Sequence, residues 1–157
     1  MMGMTLRQNV AVAALALAAA LLPCGTAGAA APQAAVPGRY CLANAWGTPN
    51  ISSKPCDPAD RGQHWVVSGN QIALAGDRNY CLANAWGTQG VSTKPCNPND
   101  QGQYWNVAGQ QIALTLAPAY CLANAWGTPN VGTKPCDGAD QGQKWVVFND
   151  QISLAAA

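Results

Sequence analysis

Glutamate is absent from this chain of 157 residues, and only 10% of its residues are charged. It holds one histidine, His64, and one phenylalanine, Phe148. Each shortage closes a route. Without glutamate and with little lysine, the chain lacks the residues that usually cover the outer faces of amphipathic helices. One histidine leaves a Ser-His-Asp or Cys-His arrangement a single candidate base. Paired carboxylates for glycoside chemistry would have to come from the aspartates, none of which stands apart with an obvious role. No glycine-rich phosphate loop is present either. The chain is therefore read as non-enzymatic, with no cofactor and no metal. Its formal net charge is +1, and losing Arg7 with a leader would leave seven basic residues (8 − 1) against seven aspartates. A neutral surface offers nothing to neutralise a phosphate backbone, so nucleic acid is not an expected partner.

What the chain does have is 16 glycines, 11 prolines, 6 tryptophans and 7 cysteines. That mixture favours short strands and many turns. The first 29 residues read as a signal peptide: Arg7 near the start, an apolar run from Val10 to Leu22, a break at Pro23, and Ala27-Gly28-Ala29 as a small-x-small cleavage site. The run falls short of the roughly 20 apolar residues of a membrane span. A retained interfacial helix is one competing reading. A lipoprotein anchor at Cys24 is another, although Pro23 stands where a small residue is needed. Cleavage after Ala29 gives a secreted chain with a short linker, residues 30–38, and no membrane span. It also removes Cys24 and leaves six cysteines, an even number suited to disulfides outside the cell.

Residues 39–157 repeat with an offset of forty. Tyr-Cys-Leu-Ala-Asn-Ala-Trp-Gly-Thr begins at Tyr40, Tyr80 and Tyr120, which sets lobes of 40–79, 80–119 and 120–157. Each lobe continues with Lys-Pro-Cys, then Asp-x-Gly-Gln-x-Trp-x-Val from Asp60, Asp100 and Asp140, then Gln-Ile-x-Leu. Alternation around Trp65 and around Ile72 predicts strands, with Pro-Asn and Asp-Pro-Ala-Asp segments as turns. The expected strands of the first lobe run from Tyr40 to Asn44, about Ile51 to Cys56, Gln63 to Val67, and Gln71 to Leu74. Three copies are too few for a propeller, which usually needs at least four blades. Twelve short strands in three equal lobes fit a closed threefold barrel capped by hairpins, which removes exposed sheet edges.

Six cysteines allow fifteen pairings, of which three respect equivalence of the lobes. Pairing with a neighbouring lobe forces at least one bridge across most of the chain. The local scheme joins Cys41 to Cys56, Cys81 to Cys96 and Cys121 to Cys136. Each bridge would close a loop of about fifteen residues, worth roughly 3 kcal/mol in loop entropy. Zinc is the competitor, but the chain has no Cys-x-x-Cys and its histidine is not repeated.

Cys-Leu opening the first strand, Gln-x-Trp in the third and a second cysteine between them resemble the ricin-type (R-type) β-trefoil lectins and carbohydrate-binding modules. The resemblance covers residues 39 to 157. It implies an all-β β-trefoil and a glycan or polysaccharide partner. It carries over unevenly at the sugar pocket. The family usually has Asp directly after Cys-Leu, where this chain has Ala43, Ala83 and Ala123. It often has Asn before the Gln of Gln-x-Trp, where this chain has Gly62, Gly102 and Gly142. Only Gln63, Gln103 and Gln143 match directly, so the usual galactose-type pocket is not expected.

A replacement pocket is sought among polar or exposed-looking residues that all lobes share. The candidate set is Asn44, Trp46, Asp60 and Gln63, with Asn84, Trp86, Asp100, Gln103 and Asn124, Trp126, Asp140, Gln143. An indole can support the apolar face of a pyranose while amides and carboxylates bond its hydroxyls. The structural alternatives stay open: the indole as a lid over its own loop, and Asp60 as a turn residue bonding its own backbone. Lys54 reads as a solvated edge charge and His64 as an exposed strand residue. Trp65, Trp105 and Trp145 read as core. Two functions follow: a stand-alone carbohydrate-binding protein with up to three sites, or a trefoil scaffold for protein interaction, inhibition or toxin association that has lost sugar binding.

Overall fold

The computed structural model describes residues 39–155. The expected leader and linker lie outside the described residues. Twelve strands follow one another in chain order. The first lobe contributes β1 (Tyr40–Asn44), β2 (Ile51–Pro55), β3 (Trp65–Ser68) and β4 (Gln71–Leu74). The second contributes β5 (Tyr80–Asn84), β6 (Val91–Pro95), β7 (Trp105–Ala108) and β8 (Gln111–Leu114). The third contributes β9 (Ala117–Asn124), β10 (Val131–Pro135), β11 (Trp145–Phe148) and β12 (Gln151–Leu154).

The third strand of each lobe starts two residues later than expected. The Gln of Gln-x-Trp closes a one-turn 3-10 helix instead, Arg61–Gln63 in the first lobe. The Asp60 carboxylate caps that turn by accepting the Gly62 N–H at 2.9 Å. A capped turn holds its backbone out of the ladder, so pairing begins only at Trp65.

Repeat and sheet do not coincide. The three antiparallel sheets are β3-β4-β5-β6, β7-β8-β9-β10 and β11-β12-β1-β2. Each sheet takes the last two strands of one lobe and the first two of the next. The third sheet joins the two ends of the described chain through Cys41 opposite Ser153. Single bridges link the first hairpins of all three lobes in a ring: Asn50 to Ser92, Gly90 to Gly132 and Ser52 to Asn130. A lobe alone would therefore leave two strand edges open.

The core repeats by threes. Leu42, Trp65, Ile72 and Leu74 are buried with their eight counterparts at 82, 105, 112, 114, 122, 145, 152 and 154. Each core indole N–H is satisfied: Trp65, Trp105 and Trp145 donate to the carbonyls of Leu42, Leu82 and Leu122, each at 2.9 Å. Burying such side chains is worth about 1.5–3 kcal/mol each. The local disulfide scheme is the observed one, Cys41–Cys56, Cys81–Cys96 and Cys121–Cys136. Every bridge spans 15 residues and ties the first strand of a lobe to the end of its hairpin.

Candidate functional site

The repeated Asn-Ala-Trp-Gly-Thr segment is a tight turn, and its own hydrogen bonds account for most of its sequence. Ala45 accepts from the Thr48 N–H at 2.9 Å and from the Thr48 hydroxyl at 2.7 Å. Gly47 has φ +80°, a left-handed conformation that a side chain resists, and Gly87 and Gly127 repeat it at +82° and +80°. Asn44 was expected to be available to a ligand, yet it is 1% exposed. Its amide donates to the carbonyls of Thr48 at 2.7 Å and Asn50 at 3.2 Å. It also reaches Thr93 Oγ1 of the next lobe at 3.0 Å. Asn84 reaches Thr133 Oγ1 and Asn124 reaches Ser53 Oγ in the same way. These three amides tie each loop to the neighbouring lobe.

Trp46 is the exception. No hydrogen bond or turn requirement of the loop calls for an indole at that position. Trp46, Trp86 and Trp126 are 45%, 50% and 55% exposed. The outer edge of the Trp46 ring leans on the turn before the second lobe, with Cη2 only 2.8 Å from where a Cβ on Gly76 would stand.

Gln63 and Asp60 form a separate cluster. Gln63 is buried; its oxygen accepts from the Asp57 N–H at 2.8 Å and its amide donates to the Pro55 carbonyl at 3.0 Å. The second Asp60 oxygen accepts from that amide at 3.3 Å and pairs with the Lys54 ammonium at 3.6 Å. Gln103 with Asp100 and Lys94, and Gln143 with Asp140 and Lys134, repeat the arrangement. Lys54 is thus the partner of a capping aspartate as well as a partly exposed charge. The expected quartet divides: Asn44 and Trp46 border one cleft, whereas Asp60 and Gln63 are absent from its lining.

That cleft lies between lobes. About 470 Å³ of space is lined by Trp46 and its loop, by Leu74 and Asp77, and by Tyr80, Thr93, Lys94 and Pro95 of the second lobe. A related cleft of about 410 Å³ lies between Trp86 with its loop, Leu114 and Ala117, and Tyr120 and Thr133 of the third lobe. Both fall in the size range of small-ligand sites. Sequence comparison passed over the tyrosine. Tyr40, Tyr80 and Tyr120 open each repeat, are about half exposed, and are each followed in their strand by four buried residues. An aromatic repeated in all three lobes at an exposed position directly before four buried residues was the available signal. Among the described residues, no group of three or more His, Cys, Asp or Glu could hold a metal ion.

His64 departs from its expected place on an exposed strand. It precedes β3, its side chain is half-buried, and Nδ1 lies 3.0 Å from the Asp150 carboxylate of the β11–β12 turn. Nε2 lies 3.0 Å from the Pro58 carbonyl. Partial burial pulls its pKa down, but the Asp150 hydrogen bond, the Pro58 carbonyl and the charges of Asp150 and Asp60 outweigh that and raise it above 6.5. Tyr104 and Lys144 occupy the equivalent positions, so this pair marks only the junction of first and third lobes.

Two departures from the R-type pattern acquire physical reasons. Ala43, Ala83 and Ala123 are buried, so an Asp there would start from a buried backbone position and bury its carboxylate at a cost unless it found a partner. A Cβ on Gly62 would stand 2.0 Å from the Asn44 carbonyl oxygen, and Gly102 and Gly142 face Asn84 and Asn124 at 2.2 and 2.1 Å. No side chain fits there, asparagine included.

Comparison with known proteins agrees with this architecture. The ricin-type beta-trefoil lectin domain matches residues 33–145. No curated protein matches the chain. Among solved structures, a non-toxic homologue of type II RIPs from Momordica charantia (bitter gourd), in complex with alpha-methyl-D-galactoside, superposes with TM-score 0.60 at 16% identity, covering 70% of this chain and 47% of that one. GalNAc-T7 with UDP, GalNAc and Mn2+ gives TM-score 0.60 at 20% identity, over 71% of this chain and 21% of that one. The earthworm R-type lectin C-half, in complex with GalNAc, gives 0.54 at 16% identity, over 69% and 95%. This chain therefore spans about half the length of the first of these proteins and a fifth of the second. Strand order, cysteine pairs, Gln-x-Trp repeats and a family match over most of its length together assign the chain to the ricin-type beta-trefoil lectin domain family.

Proposed function

We propose that this is an exported, non-catalytic carbohydrate-binding protein that holds sugars in clefts between its lobes rather than in the usual galactose-type pocket. One observation carries the reading. In a loop where asparagine, glycine and threonine are all used by the turn itself, an exposed tryptophan recurs three times, and at Trp46 and Trp86 it borders an inter-lobe cleft. An indole facing a tyrosine across such a cleft can stack on the apolar face of a pyranose, while cleft polar groups bond its hydroxyls. Of the candidate residues, Trp46, Trp86 and Trp126 are proposed to touch the ligand. The asparagines, aspartates and glutamines hold the frame. The repeat extends the pattern to Trp126 beside Tyr40, so up to three weak sites act together. Multivalent presentation gains roughly 10²–10⁴ over one site when spacing allows.

Three disulfides suit an oxidising compartment. The mature chain begins after Ala29 and is secreted; the mass of the exported protein tests this. Carbohydrate binding is tested on a glycan array and on insoluble polysaccharides, with the Trp46→Ala, Trp86→Ala, Trp126→Ala triple variant as control. Binding that the folded triple variant loses supports the proposal. A folded wild type that binds nothing across the panel refutes it. A second reading, a trefoil serving as a protein-interaction, inhibitor or toxin-associated scaffold, is favoured by the buried alanines where the family carries its sugar-binding carboxylate. Capture of a protein partner that survives glycosidase treatment would support that reading instead.

A further inference from the structure

The clefts are equivalent in their tryptophan and tyrosine but not in their floor. Between Leu74 and Tyr80 the first cleft is bordered by Gly76 and Asp77. The corresponding residues of the second are Leu116 and Ala117. Asp77 is half-buried, and one carboxylate oxygen accepts the Asn79 N–H at 3.2 Å. Among the described residues the other oxygen has no hydrogen bond and no ion pair. Lys94 borders the same cleft, its ammonium 3.7 Å from Asp100. The second cleft has no charged residue in its lining.

From this we infer that Asp77 is a specificity-determining residue: it supplies, in the first cleft and not in the second, the hydroxyl-accepting carboxylate that Ala43 does not. The inference rests on the carbohydrate reading of the clefts. The ligand class it selects is a neutral pyranose with adjacent hydroxyls. One hydroxyl donates to the free Asp77 oxygen, a neighbour accepts from Lys94, and the ring lies against Trp46. The Lys94 charge is already paired with Asp100, so the Asp77 carboxylate is the uncompensated charge of the cleft, which disfavours an anionic sugar. Gly76 has a part as well, because the Trp46 ring edge occupies the space a side chain would take there. Leu116, half exposed, stands at the corresponding position of the second lobe.

The test follows indole N–H signals of the whole protein by NMR during titration with methyl glycosides of galactose, glucose, mannose and N-acetylglucosamine. Trp→Phe variants assign Trp46 and Trp86. A charge-assisted hydrogen bond predicts that Trp46 responds at about ten- to a hundredfold lower concentration than Trp86. Asp77→Asn, which keeps an oxygen for Asn79, should erase that difference and leave Trp86 unchanged. Ala117→Asp should bring the second cleft toward the first. Equal titration of both tryptophans, with Asp77→Asn changing neither, overturns the inference while leaving the lectin reading intact. If no glycoside shifts either indole, both fail together.

Discussion

Asn44→Ala and Trp46→Ala are two changes in one loop, two residues apart, and they should have opposite consequences. The Asn44 amide carries two hydrogens and serves three acceptors at 2.7, 3.2 and 3.0 Å. Two of those acceptors keep other donors after truncation: the Asn50 carbonyl accepts the Ala45 N–H at 2.9 Å, and Thr48 accepts the Thr93 hydroxyl at 3.4 Å. The loss is therefore two good buried hydrogen bonds, at about 1 kcal/mol each. A small void where the carboxamide stood adds about another 1 kcal/mol. We expect Asn44→Ala to cost about 3 kcal/mol, and the melting temperature to fall by about 10 °C. Trp46 is half exposed and makes no hydrogen bond among the described residues, so its truncation forfeits only partial burial, including the packing against Gly76, about 1 kcal/mol. Calorimetric melting of the oxidised protein measures both. Sugar binding, measured below the melting transition, should follow the other order: kept by Asn44→Ala and weakened by Trp46→Ala. If Asn44→Ala melts within 2 °C of wild type, the assignment of Asn44 to the frame is wrong.

Two further outcomes probe other parts of the same frame. Gly62→Ala places a methyl 2.0 Å from a backbone carbonyl, which a rotamer change cannot relieve, so denaturant titration should show a loss of about 3 kcal/mol. His64 has a folded pKa raised above 6.5. Its link to Asp150 therefore contributes stability that is full below about pH 6.5 and is lost as pH rises through the folded value. The melting temperature of wild type relative to His64→Gln should accordingly be higher at pH 5 than at pH 8. Asp150→Asn should flatten that difference. Both side chains are partly exposed, so the effect is small and shrinks with added salt.

Strand positions and disulfide pairing were legible because they rest on local pattern and on symmetry. Ile72 and Leu74 alternate with half-buried Gln71 and Ala73, which period two shows directly. Equivalence of three lobes reduced the cysteine problem to three schemes, of which the local one is observed. The third strand was placed two residues early because Gln63 keeps alternation with Trp65 even though it belongs to a capped turn. Nothing in the alternation distinguishes a glutamine that bonds the Asp57 N–H from one on a strand. Asn44 looks exposed in sequence for a related reason, whereas the fold buries it. A buried amide and a ligand-binding amide are the same residue type in the same loop. What separates them is the identity of Thr93, forty-nine positions away.

The missed tyrosine shows where sequence comparison loses sight of a site in a repeat protein. Aligning the lobes sets Trp46 above Trp86 and Tyr40 above Tyr80, as though each pair served its own lobe. The cleft instead joins Trp46 of one lobe to Tyr80 of the next, because each sheet is assembled from halves of adjacent lobes. A column of identical residues reports what each lobe contains, whereas a site across a junction depends on residues in different columns. Divergence at the junction, Gly76 and Asp77 against Leu116 and Ala117, then reads as a neutral turn when each lobe is taken alone. Placed in the clefts, the same divergence falls beside a conserved aromatic pair. Lobes that share a frame can in this way acquire different ligand preferences without disturbing the Asn, Gln and Trp network that folds them. In the proposed site the Asn-Ala-Trp-Gly-Thr loop is then only half of the binding surface, and the turn that opens the following repeat is the other half.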